Sequence, residues 1–413
     1  MIQTSDVRTP DLRDLLTGLV STNRFYARKF AGCDLTDFAR LPFTTKAELA
    51  ADQVQHSPYG SALTYPFERY CRMHQTSGTS TGRPLRWLDT PESWEWLLRC
   101  WRDSFPYMGL RADDVFFFPF SFGPFLGFWS AFEAASRAGY LVIPGGGLTS
   151  TARLRFLLEH RATVVCCTPT YALHLAELAV QEGIDLAGSP VRMLVVAGEP
   201  GGSIPATRAR IESVWGARVF DHYGMTEIGP VAVEAVETPR SLVVMETQYI
   251  AEVLEPGGAR AAADGELGEL VLSNPGRVGS PLVRYRTGDV VKARRSDAGI
   301  LVLDGGIMGR TDDMLHVRGN NLYPAAIEAV VRRFPEVTEF RIVVDRSGPL
   351  ADLCVEIEPG NGHVVAGLAD AVARAIRDDL LFRVDVEAVS PGSLPRYEMK
   401  ARRVVVRTGR DGA

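Results

Sequence analysis

The chain has 413 residues, an apolar fraction of 46%, a charged fraction of 23% and a net charge of −5. These values are ordinary for a globular protein of two or three domains, and the net negative charge argues against a broad nucleic-acid footprint. No apolar run approaches the about 18 residues of a membrane span, and no basic-flanked apolar leader opens the chain, so we expect a cytoplasmic protein without a membrane segment.

The residue types that most often carry chemistry are sparse. Six cysteines lack any C-x-x-C spacing and seven histidines are scattered, which predicts reduced structural thiols and indicates no metal-ligand pattern. Arginine supplies most of the basic charge, so a catalytic lysine has few candidates. They are Lys29, Lys46, Lys292 and Lys400.

Helical patterns and then alternating strands and helices are predicted over the first part of the chain. Residues 1–60 are predicted to be helical. The later alternation favours a mostly parallel sheet covered by helices, with ligands at the carboxyl ends of the strands. The predicted strands are Val115–Phe120, Tyr140–Ile143, Thr163–Cys167, Val191–Val196 and Arg218–Phe220, and the helices are Phe128–Ala138, Leu154–His160 and Pro169–Gln181.

Two further changes of pattern follow. Short strands between about residues 240 and 305 (Leu242–Glu246, Ile250–Leu254, Gly268–Leu272 and Val290–Ala293) predict a small antiparallel sheet or barrel. After Arg310 the order strand, helix, two strands, helix, strand is typical of a ferredoxin-like α+β unit that begins with the strand Met314–Arg318. The sequence therefore predicts an α/β protein with an N-terminal domain at 1–311 and a small, mobile C-terminal domain at 312–413.

A loop of small and hydroxylated residues is the strongest functional signal. Such a loop can surround phosphates with N–H groups and hydroxyls, but it lacks the Gly-Lys-Ser/Thr ending of a Walker loop. By itself a cluster of this kind is more often a plain surface loop. Its candidate phosphate-binding residues are Thr76, Ser77, Gly78, Thr79, Ser80, Thr81, Gly82 and Arg83.

Four later segments are polar or glycine-rich where a fold alone would not require it. They are 221–227, 284–289, 309–314 with 318–319, and 394–400. In the first, an exposed aromatic at Tyr223 could stack on a purine, Thr226 could hydrogen-bond a phosphate and Glu227 could hold Mg²⁺. Each segment taken singly is more often a turn or a solvated surface, but their joint occurrence in this order favours a nucleotide site.

Together these motifs resemble the adenylate-forming superfamily of acyl-CoA synthetases, adenylation domains and luciferases. Within it, the chain is most similar to phenylacetate–CoA ligases, over nearly its whole length. Further matching segments are Leu41–Lys46, Thr168–Ala172, Ala197–Pro200 and Gly319–Pro324.

The resemblance implies a two-step reaction. A carboxylate attacks the α-phosphate of ATP to give an acyl adenylate and pyrophosphate, and a thiol, usually that of CoA, then displaces AMP. The resemblance implies that Lys400 bridges the carboxylate and the α-phosphate. It implies that Thr226 and Glu227 are also catalytic and that Glu227 binds Mg²⁺. It further implies that Asp312 is the hinge about which the C-terminal domain rotates. It also implies a nucleotide site in which Tyr223 stacks on the adenine and Glu199 lies beside the adenine. Asp289 and Arg310 would hold the ribose. The full set of implied nucleotide-site residues is Glu199, Pro200, Asp221, His222, Tyr223, Gly224, Met225, Asp289 and Arg310.

The pocket for the acid is expected beside the aromatic run between Phe116 and Trp129. The strand residues Phe116–Phe118 are expected in the core, whereas those in the following glycine-containing loop are better pocket candidates. An aromatic or other flat acid is therefore expected. The predicted pocket residues are Phe122, Phe125, Tyr171, His174, Ala197, Gly198 and His222.

Three departures from the family pattern and several alternatives stay open. The phosphate loop is one residue longer, Arg83 replaces a lysine, and Met399 replaces a glycine before Lys400. Some relatives hold zinc in the small-sheet region, but this chain has no cysteine between Cys167 and Cys354, so we expect ATP, Mg²⁺ and CoA without zinc. The acceptor could instead be a carrier protein or an amine. A non-catalytic nucleotide-binding regulator is disfavoured, and a homodimer is left open.

Overall fold

Two sheets organise the protein, one of eleven strands and one of four. The structure is a computed structural model that describes residues 12–76, 84–317, 320–345, 352–360, 367–397 and 400–407. The helices are α1 Leu12–Thr22, α2 Arg24–Lys29, α3 Lys46–Gln55, α4 Pro91–Met108, α5 Trp129–Arg137, α6 Ser150–Glu159, α7 Pro169–Gln181, α8 Pro205–Trp215, α9 Pro324–Val331 and α10 Leu368–Leu380. Within these ranges, no helix is both long and apolar enough to cross a membrane.

The strands follow in chain order. They are β1 Arg72–Gln75, β2 Arg86–Asp89, β3 Val115–Phe118, β4 Leu141–Pro144, β5 Val164–Cys167, β6 Met193–Ala197, β7 Arg218–Met225, β8 Gly229–Ala235, β9 Thr238–Val244, β10 Ile250–Leu254, β11 Leu267–Ser273, β12 Tyr285–Arg295, β13 Leu301–Arg310, β14 Leu315–Val317, β15 Asn320–Leu322, β16 Val337–Asp345, β17 Asp352–Pro359, β18 Asp385–Ala388 and β19 Val404–Arg407.

The parallel half of the large sheet matches the alternation seen in the sequence. Strands β4, β3, β5, β6 and β7 run parallel in that order. All four residues of β5 are buried, as expected for a strand covered on both faces. Helix α7 begins at Pro169 because Thr168 caps it, accepting a hydrogen bond from the N–H of Tyr171 at 3.1 Å. These features confirm the helix-covered parallel sheet.

The antiparallel strands continue the same sheet. β7 runs on to Met225, five residues beyond its predicted end, and pairs with β8. From there the order β8, β9, β13, β12, β11, β10 extends the sheet with antiparallel pairs only. Helix α4, which the sequence analysis did not predict, packs on β8. The active-site motif of β7 therefore lies at the junction between the parallel and antiparallel halves.

The C-terminal part has its own α+β unit and apolar core. Its sheet has the order β18, β17, β16, β19. Strand β14, inside the predicted strand Met314–Arg318, pairs with β15 in a separate hairpin, and the edge position beside β16 is taken by β19. Since β19 begins at Val404, Lys400 lies directly before a strand of this small sheet. The domain division at 311/312 remains a prediction.

A fully buried ion pair joins distant parts of the N-terminal unit. Arg277 and Asp89 are each 0% exposed, and two guanidinium nitrogens donate to the two carboxylate oxygens at 2.7 Å. A third nitrogen of Arg277 donates to the backbone oxygen of Thr226 at 2.7 Å. The pair therefore fixes β2, which follows the phosphate loop, against the turn that carries Thr226 and Glu227.

We expect Asp89→Ala to lower the free energy of unfolding by about 3–5 kcal/mol, because it leaves a buried guanidinium without its counter-charge. Urea unfolding followed by tryptophan fluorescence measures the change. The matched control is Glu92→Ala, which removes the partner of Arg69 in an ion pair whose side chains are more than half exposed. That variant should lose at most about 1 kcal/mol. Equal losses in the two variants would contradict the structural role given to Asp89.

Candidate active site

The motif that contains Tyr223 is part of strand β7. Asp221, His222 and Tyr223 extend the strand, and only Thr226 and Glu227 lie in the turn before β8. The expectation of an exposed aromatic here was wrong. Pairing with Ala232 of β8 continues the sheet through Tyr223, which is 8% exposed. Any nucleotide contact of Tyr223 therefore involves a ring that is largely covered by protein.

A buried carboxylate connects Tyr223 to the end of β13. The Tyr223 hydroxyl donates to Asp289 at 2.5 Å, and Arg310 donates to the other oxygen of Asp289 at 2.9 Å. Arg310 also donates twice to Asp312, at 2.8 and 3.1 Å. Burial raises the pKa of Asp289, and the guanidinium of Arg310 partly opposes this shift. The predicted ribose ligands and the predicted hinge thus belong to one charged cluster.

Lys400 is brought to this cluster by the fold. Its side chain is exposed, and its positive charge lowers the pKa of both Asp289 and Asp313, although burial is the larger effect and raises both. The lysine lies 111 residues beyond Asp289 in the chain. Its position therefore depends on how the C-terminal unit docks on the N-terminal unit.

Glu199 holds the backbone beside Lys400. One carboxylate oxygen accepts the N–H of Thr170, at the start of α7, at 2.8 Å, and the other accepts the N–H of Ala401 at 2.7 Å. Burial raises the pKa of Glu199. The sequence predicted Glu199 beside an adenine and missed this contact, since nothing in the sequence relates Glu199 to Ala401.

Further polar contacts join the same two units. Arg403 donates to the Thr170 hydroxyl at 3.3 Å and to Glu339 at 2.7 Å. The Nε of Arg396 lies 3.6 Å from a carboxylate oxygen of Glu177 in α7. The contacts of Arg403 with Thr170 and of Arg396 with Glu177 join the two units through charged or hydroxyl groups, whereas Glu339 belongs to β16 of the same unit as Arg403. Polar contacts of this kind are typical of interfaces between units that can move relative to each other.

Glu227 is buried beside two groups from other segments. Its carboxylate accepts the Tyr285 hydroxyl at 2.9 Å and lies 3.9 Å from the Lys46 ammonium. The sequence analysis noted Lys46 as one of four lysines and within a family motif, but did not place it beside Glu227. Among the described residues there is no cluster of three or more His, Cys, Asp or Glu side chains suited to a metal. A single carboxylate fits Mg²⁺, which commonly binds one or two carboxylates and takes substrate phosphates and water as its other ligands.

The structure describes the base of the phosphate loop. Strands β1 and β2 pair antiparallel on either side of it. Thr76 is buried, its N–H donates to the backbone oxygen of Leu85 at 2.9 Å, and its hydroxyl accepts the N–H of Leu85 at 2.9 Å. Ser77, Gly78, Thr79, Ser80, Thr81, Gly82 and Arg83 lie outside the described residues, as does Met399. Their roles stay predictions.

The predicted acid pocket is only partly brought together. Phe122 and Phe125 are half-buried, and both rings pack edge-on against Phe120 at centroid distances of 5.3 and 5.4 Å. Phe116, Phe117 and Phe118 are buried, as expected for core residues.

Two other predicted pocket residues belong to different surroundings. Tyr171 packs in the apolar cluster of Phe117, and Arg153 donates to its hydroxyl at 2.7 Å. His174 lines a crevice with Arg332, Tyr397 and Arg403 of the C-terminal unit. His174 therefore lies beside the C-terminal unit, and its place in the acid pocket stays a prediction.

His222 lies within β7 beside Ala197, its cross-strand neighbour and the last residue of β6. Its ring stacks on the indole of Trp101 with centroids 3.9 Å apart. Burial lowers the pKa of His222 to about 3, so the ring is neutral at physiological pH.

The neighbours of His222 differ in exposure. Asp221 is buried and accepts the Ser203 hydroxyl at 2.6 Å; burial raises its pKa to about 7. Gly198 and Pro200 follow β6 and are exposed, and Gly198 has a φ of +95°. At the end of β7, Gly224 is exposed and Met225 is half-buried. The exposed residues leave room for a ligand above the strand ends. Asp221 instead binds the Ser203 hydroxyl of the protein itself.

Comparison with protein families gives two matches. Residues 71–279 match the model of the AMP-binding enzymes, and residues 319–407 match the AMP-binding enzyme C-terminal domain. The chain is 31% identical to the phenylacetate-coenzyme A ligase of Pseudomonas putida, covering 91% of this chain and 88% of the relative. It is 32% identical to that of Thermus thermophilus, covering 90% and 87%.

Among solved structures, 2-hydroxyisobutyryl-CoA ligase matches in more than one state. Its postadenylation state with 2-HIB-AMP gives a TM-score of 0.90 at 27% identity, covering 96% of this chain and 88% of the other. Its thioesterification state with 2-HIB-AMP and CoA gives 0.71 at 28% identity and the same coverage.

We expect Glu199→Ala to loosen the docked C-terminal unit, because it removes both acceptors that join Thr170 to Ala401. Amide hydrogen exchange over residues 400–407 should become faster, by about 5- to 10-fold for the loss of one backbone hydrogen bond. The control is Glu48→Ala, which removes an exposed partner of Lys29 far from the interface. Unchanged exchange in Glu199→Ala would show that Glu199 does not hold this segment.

Proposed function

Since the chain belongs to the AMP-binding enzymes and is an AMP-forming acid–CoA ligase, we propose that it activates an aromatic carboxylic acid as an acyl adenylate and passes the acyl group to CoA. The observation that carries the proposal is the docking of Lys400 beside the cluster of Asp289 and Arg310. Relatives that match about nine-tenths of the chain are CoA ligases, which favours CoA over a carrier protein or an amine. The half-buried rings of Phe122 and Phe125 support an aromatic acid.

In the first step, a carboxylate oxygen attacks the α-phosphorus and the bond to pyrophosphate breaks. Both reactants are negative, so positive charge at the point of contact lowers the barrier more than it stabilises the separate reactants. Lys400 would supply this positive charge, since its side chain is exposed and its charge acts on Asp289. Glu227, with Thr226 beside it, would hold Mg²⁺, which supplies charge neutralisation on the phosphates.

The nucleotide's sugar is assigned to the same cluster. Asp289 is held by Tyr223 and Arg310, so its oxygens are fixed before a ligand arrives. A fixed carboxylate is suited to accept the hydroxyl protons of a ribose, as acidic residues do in other nucleotide sites. Arg310 would then lie between the ribose and the hinge at Asp312.

In the second step, the thiolate sulfur attacks the acyl carbon and the bond to AMP breaks. This chain resembles the postadenylation state of a relative more closely than that relative's thioesterification state, at equal coverage. The difference supports a rotation of the C-terminal unit about Asp312 between the two steps. Such a rotation would remove Lys400 and admit the thiol. Cytoplasmic location and a homodimer remain predictions.

We expect Lys400→Ala to lower the rate of adenylate formation by about 10²–10³-fold, the usual loss for one preorganised charged or hydrogen-bonding group. Transfer from a chemically prepared adenylate to CoA should stay within about threefold, since the lysine is withdrawn in that step. Pyrophosphate release and thioester formation measure the two half-reactions. Lys292→Ala, which changes an exposed lysine on β12, is the control and should affect neither. Equal losses in both half-reactions would contradict the two-state scheme.

The hinge gives a complementary prediction. Asp312→Pro fixes φ at the proposed pivot, so thioester formation from a preformed adenylate should fall by about 100-fold, as expected for misplaced reactants, while adenylation is largely kept. Asp312→Ala is the control, because it loses the contact with Arg310 but keeps backbone freedom. If Asp312→Pro forms thioester at the normal rate, or if both variants are equally impaired, the hinge lies elsewhere.

A further inference from the structure

A buried nitrogen within β7 has no hydrogen-bond partner in the part of the chain that the structure describes. His222 is 5% exposed, and its Nε2 is fully covered but makes no hydrogen bond with any residue that the structure describes. Buried polar atoms in native proteins nearly always have a partner, because losing water without replacing it is unfavourable. An unpartnered one at a ligand site calls for a ligand group.

The surroundings of His222 give no structural reason for a histidine. One face of the ring is covered by Trp101, and Phe220, two residues back on the same face of β7, is part of the large apolar core. Burial alone lowers its pKa to about 3, with no charged neighbour contributing to the shift. A leucine or phenylalanine would satisfy this environment without a desolvated polar atom.

The position of His222 connects it to the aromatic end of the acid pocket. Its cross-strand neighbour Ala197 is partly buried against the same apolar cluster as Phe120, Phe122 and Trp129. The indole that covers His222 is itself fixed to the start of α5, because Trp101 Nε1 donates to the Ser130 hydroxyl at 2.9 Å. Ser130 directly follows Trp129. His222 is therefore joined through Trp101 to the start of α5, next to Trp129.

We propose that His222 selects an acid bearing an uncharged hydrogen-bonding substituent, a hydroxyl group, which pairs with Nε2. The inference rests on the proposed function and narrows its substrate class to hydroxylated acids. A hydroxyl can donate and accept, so it pairs with either tautomer of a neutral imidazole. A charged substituent on the acid is disfavoured. Burial alone lowers the pKa of His222, so no charged group contributes that could act as a counter-ion for the substituent.

The wild-type enzyme provides the first test, in a pyrophosphate-release assay with ATP, Mg²⁺ and matched pairs of acids. The pairs are 2-, 3- and 4-hydroxyphenylacetate against phenylacetate, the three hydroxybenzoates against benzoate, and 2-hydroxyisobutyrate against isobutyrate. At least one hydroxylated acid should exceed its parent in kcat/KM by about tenfold or more, because a parent acid leaves the histidine unpaired. If every parent acid has a kcat/KM equal to or above that of its hydroxylated partner, the inference is overturned but the proposed function stands. No pyrophosphate with any acid overturns both.

His222→Leu is the second test. It should abolish the preference, bringing the ratio of kcat/KM between the hydroxylated acid and its parent close to one, mainly through loss of activity with the hydroxylated acid. An unchanged ratio overturns the inference, since His222 would then be structural. Should this variant fail to fold, the wild-type ratios still decide.

The structure offers a matched control. His74 of β1 is also buried, also stacks on a tryptophan (Trp94, centroids 5.4 Å apart), and also has a covered nitrogen, Nδ1, without a hydrogen-bond partner among the described residues. It lies in β1 and lines a cavity with Gly123 and Trp129, so it is a second buried histidine beside the aromatic run. His74→Leu should leave the ratio between the two acids at the wild-type value. A ratio that falls equally in both variants overturns the assignment to His222.

Discussion

The ion pair between the buried Asp289 and the partly exposed Arg310 is the interaction on which the rest of the site depends. Asp289 belongs to β12 and Arg310 ends β13, so the pair lies where two antiparallel strands of the large sheet meet the C-terminal unit. Its guanidinium reaches on to Asp312, and Tyr223 of β7 completes the cluster from another strand. A ribose site, a catalytic cation and a hinge can therefore be set by one network of charges.

The chemistry explains why such a network needs a movable part. Joining a carboxylate to a phosphate requires a cation between two anions, whereas the following thiol attack needs that space to be open. A lysine on a docking unit satisfies both requirements, provided that the docked state is only moderately stable. The contacts of Glu199 with Ala401 and of Arg403 with Thr170 fit this condition, because they are few and polar.

Substrate choice is proposed to depend on the opposite face of β7, which carries His222. A neutral histidine enclosed by Trp101 can discriminate between acids through a single hydrogen bond, because the wrong acid leaves a buried nitrogen unpaired. In the proposed scheme this discrimination is independent of Lys400, which would act on the carboxylate common to all acids. Activation and recognition would then involve opposite faces of β7, since Tyr223 and His222 are neighbours in the strand.

The sequence by itself determined the elements with strong local signals. Helix α7 was predicted from Pro169 to Gln181, since a capping threonine and a proline define its start, and the buried strands β5 and β6 were predicted by their continuous apolar runs. The family motifs also indicated which residue types would be needed around a nucleotide. Only the tertiary structure decided that Tyr223 is buried, that His174 faces the C-terminal unit, and that Glu199 binds the backbone beside Lys400. Those facts depend on pairing and docking between segments tens to hundreds of residues apart, and no local pattern encodes such contacts.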